Sequence, residues 1–345
     1  MLTHLNRCLD LAIGRLTAGD PWTNVYGVGR TLLALSTLLT LVFTREEVLF
    51  TPALDIEHVP VCVGLGGRLS LFCALEPRLA LARWLPIAIM IVVASGWRPR
   101  LTGLLHWWVC FSLVNSLLLI DGGDHVALVL STLLLPITLT DPRASHFARR
   151  SLDDAAAGAP GETVRRLVAA FAHIAIRFQL AILYLHAAFA KCAVTEWQNG
   201  TAIYYWLVDP QYGVADWLQP VVLPLLRLPY VVAPVTWGVI ALEFALFAGL
   251  LADRRYRPLL LCAGLLLHGG IAVLHGLISF SLAMSGALIL FLCPEIPRRL
   301  GTRYGVWRAA FANASWRSAS ASMVEASTQV TGPSSQKTMT MSPRR

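Results

Sequence analysis

Residues 177–213 read RFQLAILYLHAAFAKCAVTEWQNGTAIYYWLVDPQYG. An apolar helical run closes on Lys191, and a segment crowded with Trp197, Tyr204, Tyr205, Trp206 and Tyr212 follows it. Lys191 is one of two lysines in a chain that uses arginine twenty-six times. At the edge of a membrane-length helix, an ammonium in so arginine-biased a chain suggests a site that needs a base able to lose its proton. A guanidinium cannot do so near neutral pH.

Around this stretch the composition sets the class. The 345 residues are 56% hydrophobic and 14% charged, with a mean hydropathy of +0.61. Repeated long apolar runs at that composition specify an all-α fold, a polytopic helical membrane bundle whose partner is the lipid bilayer. The formal charge of +8 does not indicate nucleic acid, because the arginines sit in short clusters between apolar runs and do not alternate with aromatics. Their natural reading is topological.

The apolar segments suggest about eight transmembrane helices near Asn24–Phe43, Leu81–Gly96, Leu101–Ile120, His125–Leu139, Val164–Ala190, Val231–Leu251, Pro258–Gly276 and Leu277–Cys293. Each approaches the roughly 20 residues that cross about 30 Å of hydrocarbon. Val59–Leu75 is the segment whose membrane placement is hardest to read, since Arg68 sits in its middle. With the N-terminus inside, the cytoplasmic loops collect Arg98 and Arg100, then Arg143, Arg149, Arg150, Arg165 and Arg166, then Arg254, Arg255 and Arg257, and finally Arg298, Arg299 and Arg303. That is the positive-inside pattern, with both termini in. The opposite face receives residues 44–80, the Asp121–Asp124 turn and residues 191–230, with Asp55, Glu57, Glu76, Glu196, Asp209 and Asp216 among them.

Three regions follow. Residues 1–19 form a cytoplasmic N-terminus, and the first span after Arg7 and Arg15 reads as an anchor rather than a removed signal peptide. Residues 20–300 form the transmembrane domain. Residues 301–345, rich in Ser, Thr, Ala and Pro from 309 onward, read as a largely disordered cytoplasmic tail.

Seven cysteines without CxxC or Cys/His spacing argue against a structural zinc site, and no metal is expected. Cys62 and Cys73 share the expected extracytoplasmic loop. A disulfide is chemically allowed there, the alternative being two small buried thiols.

At about 100° per residue, His173, Arg177, Leu180, Tyr184 and Lys191 share a stripe roughly 60° wide. Gln179 and His186 make a second polar line on nearly the opposite side. A helix polar on two faces belongs in the bundle interior. Lys191 has two readings: its ammonium snorkels to the headgroups from a helix end, or partial desolvation makes it a general base.

The following segment holds turn signals at Asn199-Gly200 and Asp209-Pro210, so Thr201–Val208 reads as a short interfacial helix capping the bundle. An aromatic belt is the plainer reading of its Trp and Tyr residues. Glu243 lies near the centre of its span, where a lone carboxylate is costly, and Arg177 is its expected partner. His268 and His275 share a helix face about 10.5 Å apart along the axis, too far for joint metal ligation. They read either as hydrogen-bonding groups lining a cavity or as satisfied packing residues. The Asp121–His125 stretch lacks the ligand count of a calcium loop and reads as a tight turn. Neither HExxH nor GxSxG occurs, which disfavours a protease.

The arginine-bearing helix followed by Tyr184, a small-residue stretch, Lys191, Trp197, Gly200 and Tyr204 resembles the HTTM membrane domain shared with vitamin K-dependent γ-carboxylases. Glu243, His268, Phe280 and Met284 on later spans continue the pattern. The closer match is to the sporulation-delaying protein B branch, carried by residues 195–213 and 121–143, and the likeness covers roughly residues 20–300. In the carboxylase relatives, the lysine matching Lys191 is implicated as the base that deprotonates vitamin K hydroquinone. The resemblance therefore implies a base role for Lys191 and a quinone as candidate cofactor.

The sporulation-delaying branch implies participation in maturing a secreted bacteriocin-like peptide in the bacterial cytoplasmic (inner) membrane. Its implied partners are a peptide precursor and a small accessory protein. Three readings stand: a membrane maturation factor with Lys191, Arg177 and Glu243 forming a buried polar site; a quinone- or lipid-linked carboxylase-like enzyme; and a transporter or immunity protein whose polar residues line a path.

Overall fold

Proline and acidic residues at the edges of the apolar runs fix where the helices begin. In the computed structural model, residues 11–293 are described, except for 12, 15, 18, 53–55, 57, 77, 119 and 149–160. The expected tail at 301–345, Arg7 and Arg15, and the basic residues Arg149, Arg150, Arg298, Arg299 and Arg303 lie outside the described residues.

The first helices are α1 (Asn24–Phe43), α2 (Glu46–Leu49), α3 (Gly64–Arg68), α4 (Leu71–Ala74), α5 (Leu79–Ala94), α6 (Pro99–Ser116) and α7 (Gly122–Thr140). They are followed by α8 (Glu162–Cys192), α9 (Thr195–Gln198), α10 (Ala202–Val208), α11 (Gln219–Leu225), α12 (Pro229–Ala248), α13 (Arg257–His275) and α14 (Ile278–Leu292). Pro99 and Pro229 open α6 and α12, and Pro258 lies in the first turn of α13, where the missing N–H is an orphan in any case. Asp121 caps α7: its carboxylate accepts from the Asp124 amide at 2.9 Å, and the Asp124 carboxylate accepts from the Asp121 amide at 3.2 Å. The acidic stretch read as a tight turn is thus the start of a helix.

Each expected span falls on one of the long helices. Five of these, α1, α7, α8, α12 and α13, are long and apolar enough to cross a membrane. The apolar helix α14 and the apolar part of α5 are shorter, and α6 carries His106, Ser112, Asn115 and Ser116 among its apolar residues. Val59–Leu75 holds only the short helices α3 and α4.

Helix α1 is central, packed on α14, α5 and α7. Its approach to α14 is close because Gly29 and Gly286 face each other: a Cβ on Gly286 would lie 2.8 Å from the Gly29 carbonyl. One apolar core unites Tyr26 and Leu33 with Leu130, Ile176, Leu180, Tyr184, Met284 and Phe291 across α1, α7, α8 and α14. A second joins Leu41, Met90, Val109 and Leu113 with Leu71 and Phe72 from α4.

Helix α7 runs antiparallel to α1 and α8, so the N-terminal ends of α1 and α8 meet the C-terminal end of α7. Trp22 donates to the Ile137 carbonyl at 3.2 Å, and His173 bonds the Pro21 carbonyl at 2.9 Å. At the other end, Thr40 donates to Asp124 and Ser279 donates to Asp121, both at 3.3 Å. The Lys191 end of α8 belongs to this second end.

Candidate functional site at the end of the long helix

Helix α8 runs 31 residues without proline, which carries Tyr184 and Lys191 along one face two turns apart. The neighbouring α12 supplies Glu243. Lys191 Nζ stands 2.7 Å from Glu243 Oε1, with the carboxylate side chain 9% exposed and the lysine 23%. The Lys191 ammonium also lies 5.3 Å from the ring centre of buried Trp197 on α9. Cation and carboxylate therefore hold each other against an aromatic wall, which reduces the cost of placing either within apolar surroundings. The expected partner of Glu243 was Arg177. The structure pairs it with Lys191 because α12 packs along the C-terminal part of α8, whereas Arg177 lies 14 residues earlier, about 21 Å along the axis.

Below the ion pair, the Tyr184 hydroxyl and His268 Nε2 are 3.2 Å apart and buried. His268 packs edge-on against Phe280 at 5.7 Å between ring centres, and its backbone carbonyl accepts from the Ser281 hydroxyl at 2.7 Å. Three helices, α8, α13 and α14, thus fix one hydrogen-bonded pair. Two buried atoms among the described residues lack a hydrogen-bond partner here, Glu243 Oε2 and His268 Nδ1. An uncompensated polar atom in an apolar interior is costly, so each is a ready point for a polar group entering the site.

Residues 195–215 form a cap over this end. Asn199 Oδ1 accepts from the Thr201 amide and hydroxyl at 3.1 and 2.6 Å. Gly200 adopts φ +81°, and a Cβ there would lie 2.9 Å from the Ala233 side chain. Only glycine meets both demands without strain. Trp237 of α12 donates to the Gln198 carbonyl at 3.2 Å, and α10 follows where a capping helix was expected. Asp209 Oδ1 accepts from the amides of Gln211 and Tyr212 at 2.8 Å each. His275 Nδ1 bonds the Tyr212 carbonyl and Ala215 donates to the Leu274 carbonyl, which anchors the cap to α13. Leu207 and Val214 of the cap share a small apolar core with Leu226, which follows α11, and Val232 of α12.

The structure therefore gathers Lys191, Trp197, Glu243, Tyr184 and His268 at one end of the bundle, with Gly200 and His275 holding the cap in place. Tyr204 is exposed and stacks edge-on with Tyr205, and His186 is exposed on the other side of α8. His173 is not part of this group. It lies 18 residues before Lys191, about 27 Å along α8, beside Tyr26 at the opposite end. Arg177, half-buried one turn beyond His173, is likewise remote. A disulfide joins Cys62, just before α3, to Cys73 of α4.

Sequence reading passed over a second polar cluster at the His173 end. Arg143 binds Asp141 through two bonds, 2.9 and 2.8 Å, and the Tyr26 hydroxyl donates to the same carboxylate. Arg143 also covers the Tyr26 ring at 5.4 Å. Fully buried Arg30 reaches Thr102 Oγ1 at 2.9 Å and His146 Nδ1 at 3.2 Å. An arginine that donates to Nδ1 fixes the imidazole as the Nε2–H tautomer, which suits the 3.1 Å contact with Thr31. Burial, together with the nearby charges of Arg30 and Arg143, pushes His146 down to about 3. The legible signal was Arg30, a lone charge within the first apolar run.

The cap, ion pair and buried Tyr–His pair sit in a region that aligns with known proteins. The chain is 42% identical over 285 residues, 82% of its length and 89% of the relative's, to uncharacterized protein YitO of Bacillus subtilis strain 168. Over 293 residues it is 35% identical to sporulation-delaying protein SdpB of the same strain, covering 84% of this chain and 87% of that one. This chain belongs to the SdpB family. No family model matches it, and no solved structure does. Membership in the SdpB family rests on most of the transmembrane bundle and not on a single motif.

Proposed function

We propose that this SdpB-family protein is a multi-pass factor of the bacterial cytoplasmic membrane that takes part in producing a secreted sporulation-delaying-type peptide. In this reading its N-terminus is inside, all eight long helices cross, and the Lys191 end faces outward, where an exported precursor arrives with a small accessory protein. Similarity to sporulation-delaying protein SdpB over most of both chains supports the role. The arginine clusters between apolar runs support the orientation.

The observation that carries the site assignment is the 2.7 Å contact of Lys191 with Glu243. A proton moved along it converts an ion pair into a neutral amine and a carboxylic acid, a form that low-dielectric surroundings penalise less than separated charges. Lys191 then has a lone pair to accept a proton from a bound group, with Glu243 holding the one it gave up. The likeness to the HTTM domain of γ-carboxylases agrees with such a base, and a quinone is the co-substrate class it suggests.

The test is production of mature extracellular peptide by cells carrying Lys191→Ala or Lys191→Arg at normal protein level. Loss in both supports a proton-transferring lysine. Activity retained by Lys191→Arg alone reduces the role to positive charge, and full activity in both overturns the assignment.

A further inference from the structure

Residues 61–71 are tied to α6 at three heights. Val61 donates its amide to the Ser116 carbonyl at 2.8 Å, Leu71 donates to Ser112 Oγ at 2.8 Å, and Trp108 Nε1 donates to the Leu69 carbonyl at 2.8 Å. Ser116 is the last residue of α6 and Trp108 lies eight residues earlier, about 12 Å down the axis. Gly103 of α6 packs on Thr138 of α7, and these consecutive helices run antiparallel. Counting five residues on from Gly103 and five back from Thr138, at equal rise, brings Trp108 level with Leu133. That is past the midpoint of α7, a helix long and apolar enough to cross a membrane.

Leu71 and Phe72 are buried with Val109 and Leu113 of α6 and Met90 of α5, so the chain is pinned into the core at its deep end. At the same time Val63, Leu65 and Leu69 are 83%, 77% and 56% exposed. Arg68 is the one charged residue between Pro60 and Leu75.

We propose that residues 61–71 form a re-entrant loop lying within the lipid against α6, with Val63, Leu65 and Leu69 in contact with phospholipid acyl chains. Non-helical backbone survives at membrane depth only where the protein satisfies its polar groups. The Ser116 carbonyl, Ser112 Oγ and Trp108 Nε1 do that for Val61, Leu71 and Leu69, which accounts for Ser112 on an apolar stretch of α6. Arg68 is exposed beside Leu69, and its long stem lets the guanidinium rise toward the headgroups. The Cys62–Cys73 disulfide closes the loop across its neck. A loop facing water or a polar partner would not present three large aliphatic side chains beside a single charge.

The test uses the full chain in vesicles of phosphatidylethanolamine and phosphatidylglycerol. A benzophenone-bearing amino acid replaces Leu65 or, as a second site, Val63, with Asp253 in the exposed turn before α13 as control. After irradiation, mass spectrometry reads the adducts. The expected result is phospholipid attachment at 65 and 63 several-fold above that at 253. Lipid adducts no more frequent than at 253, or attachment to protein only, would overturn the proposal.

Discussion

Lys191 and Glu243, 52 residues apart in sequence, meet at 2.7 Å where α8 and α12 pack together. The pair joins the rarest charged residue type in the chain to a carboxylate that would otherwise sit alone in an apolar span. Breaking it from one side leaves an uncompensated buried charge, whereas replacing both partners with apolar residues removes the charge altogether. Lys191→Met should therefore lower stability by about 3 kcal/mol, and Lys191→Met with Glu243→Leu should recover most of that loss. Thermal unfolding of the purified variants in detergent checks the cycle. Recovery of stability without recovery of peptide production would separate the structural role of the pair from its chemical one.

Tyr184→Phe removes the hydroxyl facing His268 while keeping the ring that packs in the core. The expected cost is about 1 kcal/mol, the net worth of one buried hydrogen bond plus an orphaned imidazole nitrogen. A thermal shift indistinguishable from zero would show that the contact contributes nothing to the fold.

Gly200→Ala puts a Cβ 2.9 Å from Ala233 at a backbone angle of +81°. The substitution should loosen the cap from α12, at a cost of about 1–2 kcal/mol from the left-handed conformation alone. Limited proteolysis between 195 and 215 is the direct readout, with faster cleavage in the variant than in the parent.

The cluster at the far end predicts a pH response. His146 is held down at about 3 by burial and by Arg30 and Arg143, against about 6.5 in an unfolded chain. Between those values the unfolded state binds the extra proton, so stability rises with pH through the window. The contribution of a neutral His146 is complete above about 6.5 and drains away as pH falls toward 3. His146→Gln, which cannot titrate, should unfold at lower temperature at neutral pH yet lose less between pH 7 and 5 than the parent. Equal losses in the two proteins would remove His146 from the acid response.

Helix positions were legible to within a few residues because apolar runs of membrane length mark them, whereas the Asp121 cap was not, since the Asp121–His125 stretch reads as a tight turn. The cap helix α10 was legible because Asn199-Gly200 and Asp209-Pro210 fix turns through their own side chains and φ angles. The helical period also placed Tyr184 and Lys191 on one face. Partnership across helices was not legible. Periodicity assigns a face but not the depth at which another helix crosses it, so Arg177 is the expected partner of Glu243 where the structure supplies Lys191.

The sequence by itself determined the class of molecule, its helices, and the presence of a lysine where arginine was the habit. Tertiary packing decided everything that depends on two helices meeting: Glu243 beside Lys191, His268 under Tyr184, and His173 beside Tyr26. Packing also gathered Arg30, Asp141, Arg143 and His146 and laid residues 61–71 along α6. The reason is physical. Hydrogen bonding along a helix is local and can be read from neighbours in sequence, whereas the pairing of buried charges depends on interhelical register, which side-chain packing across the whole bundle sets.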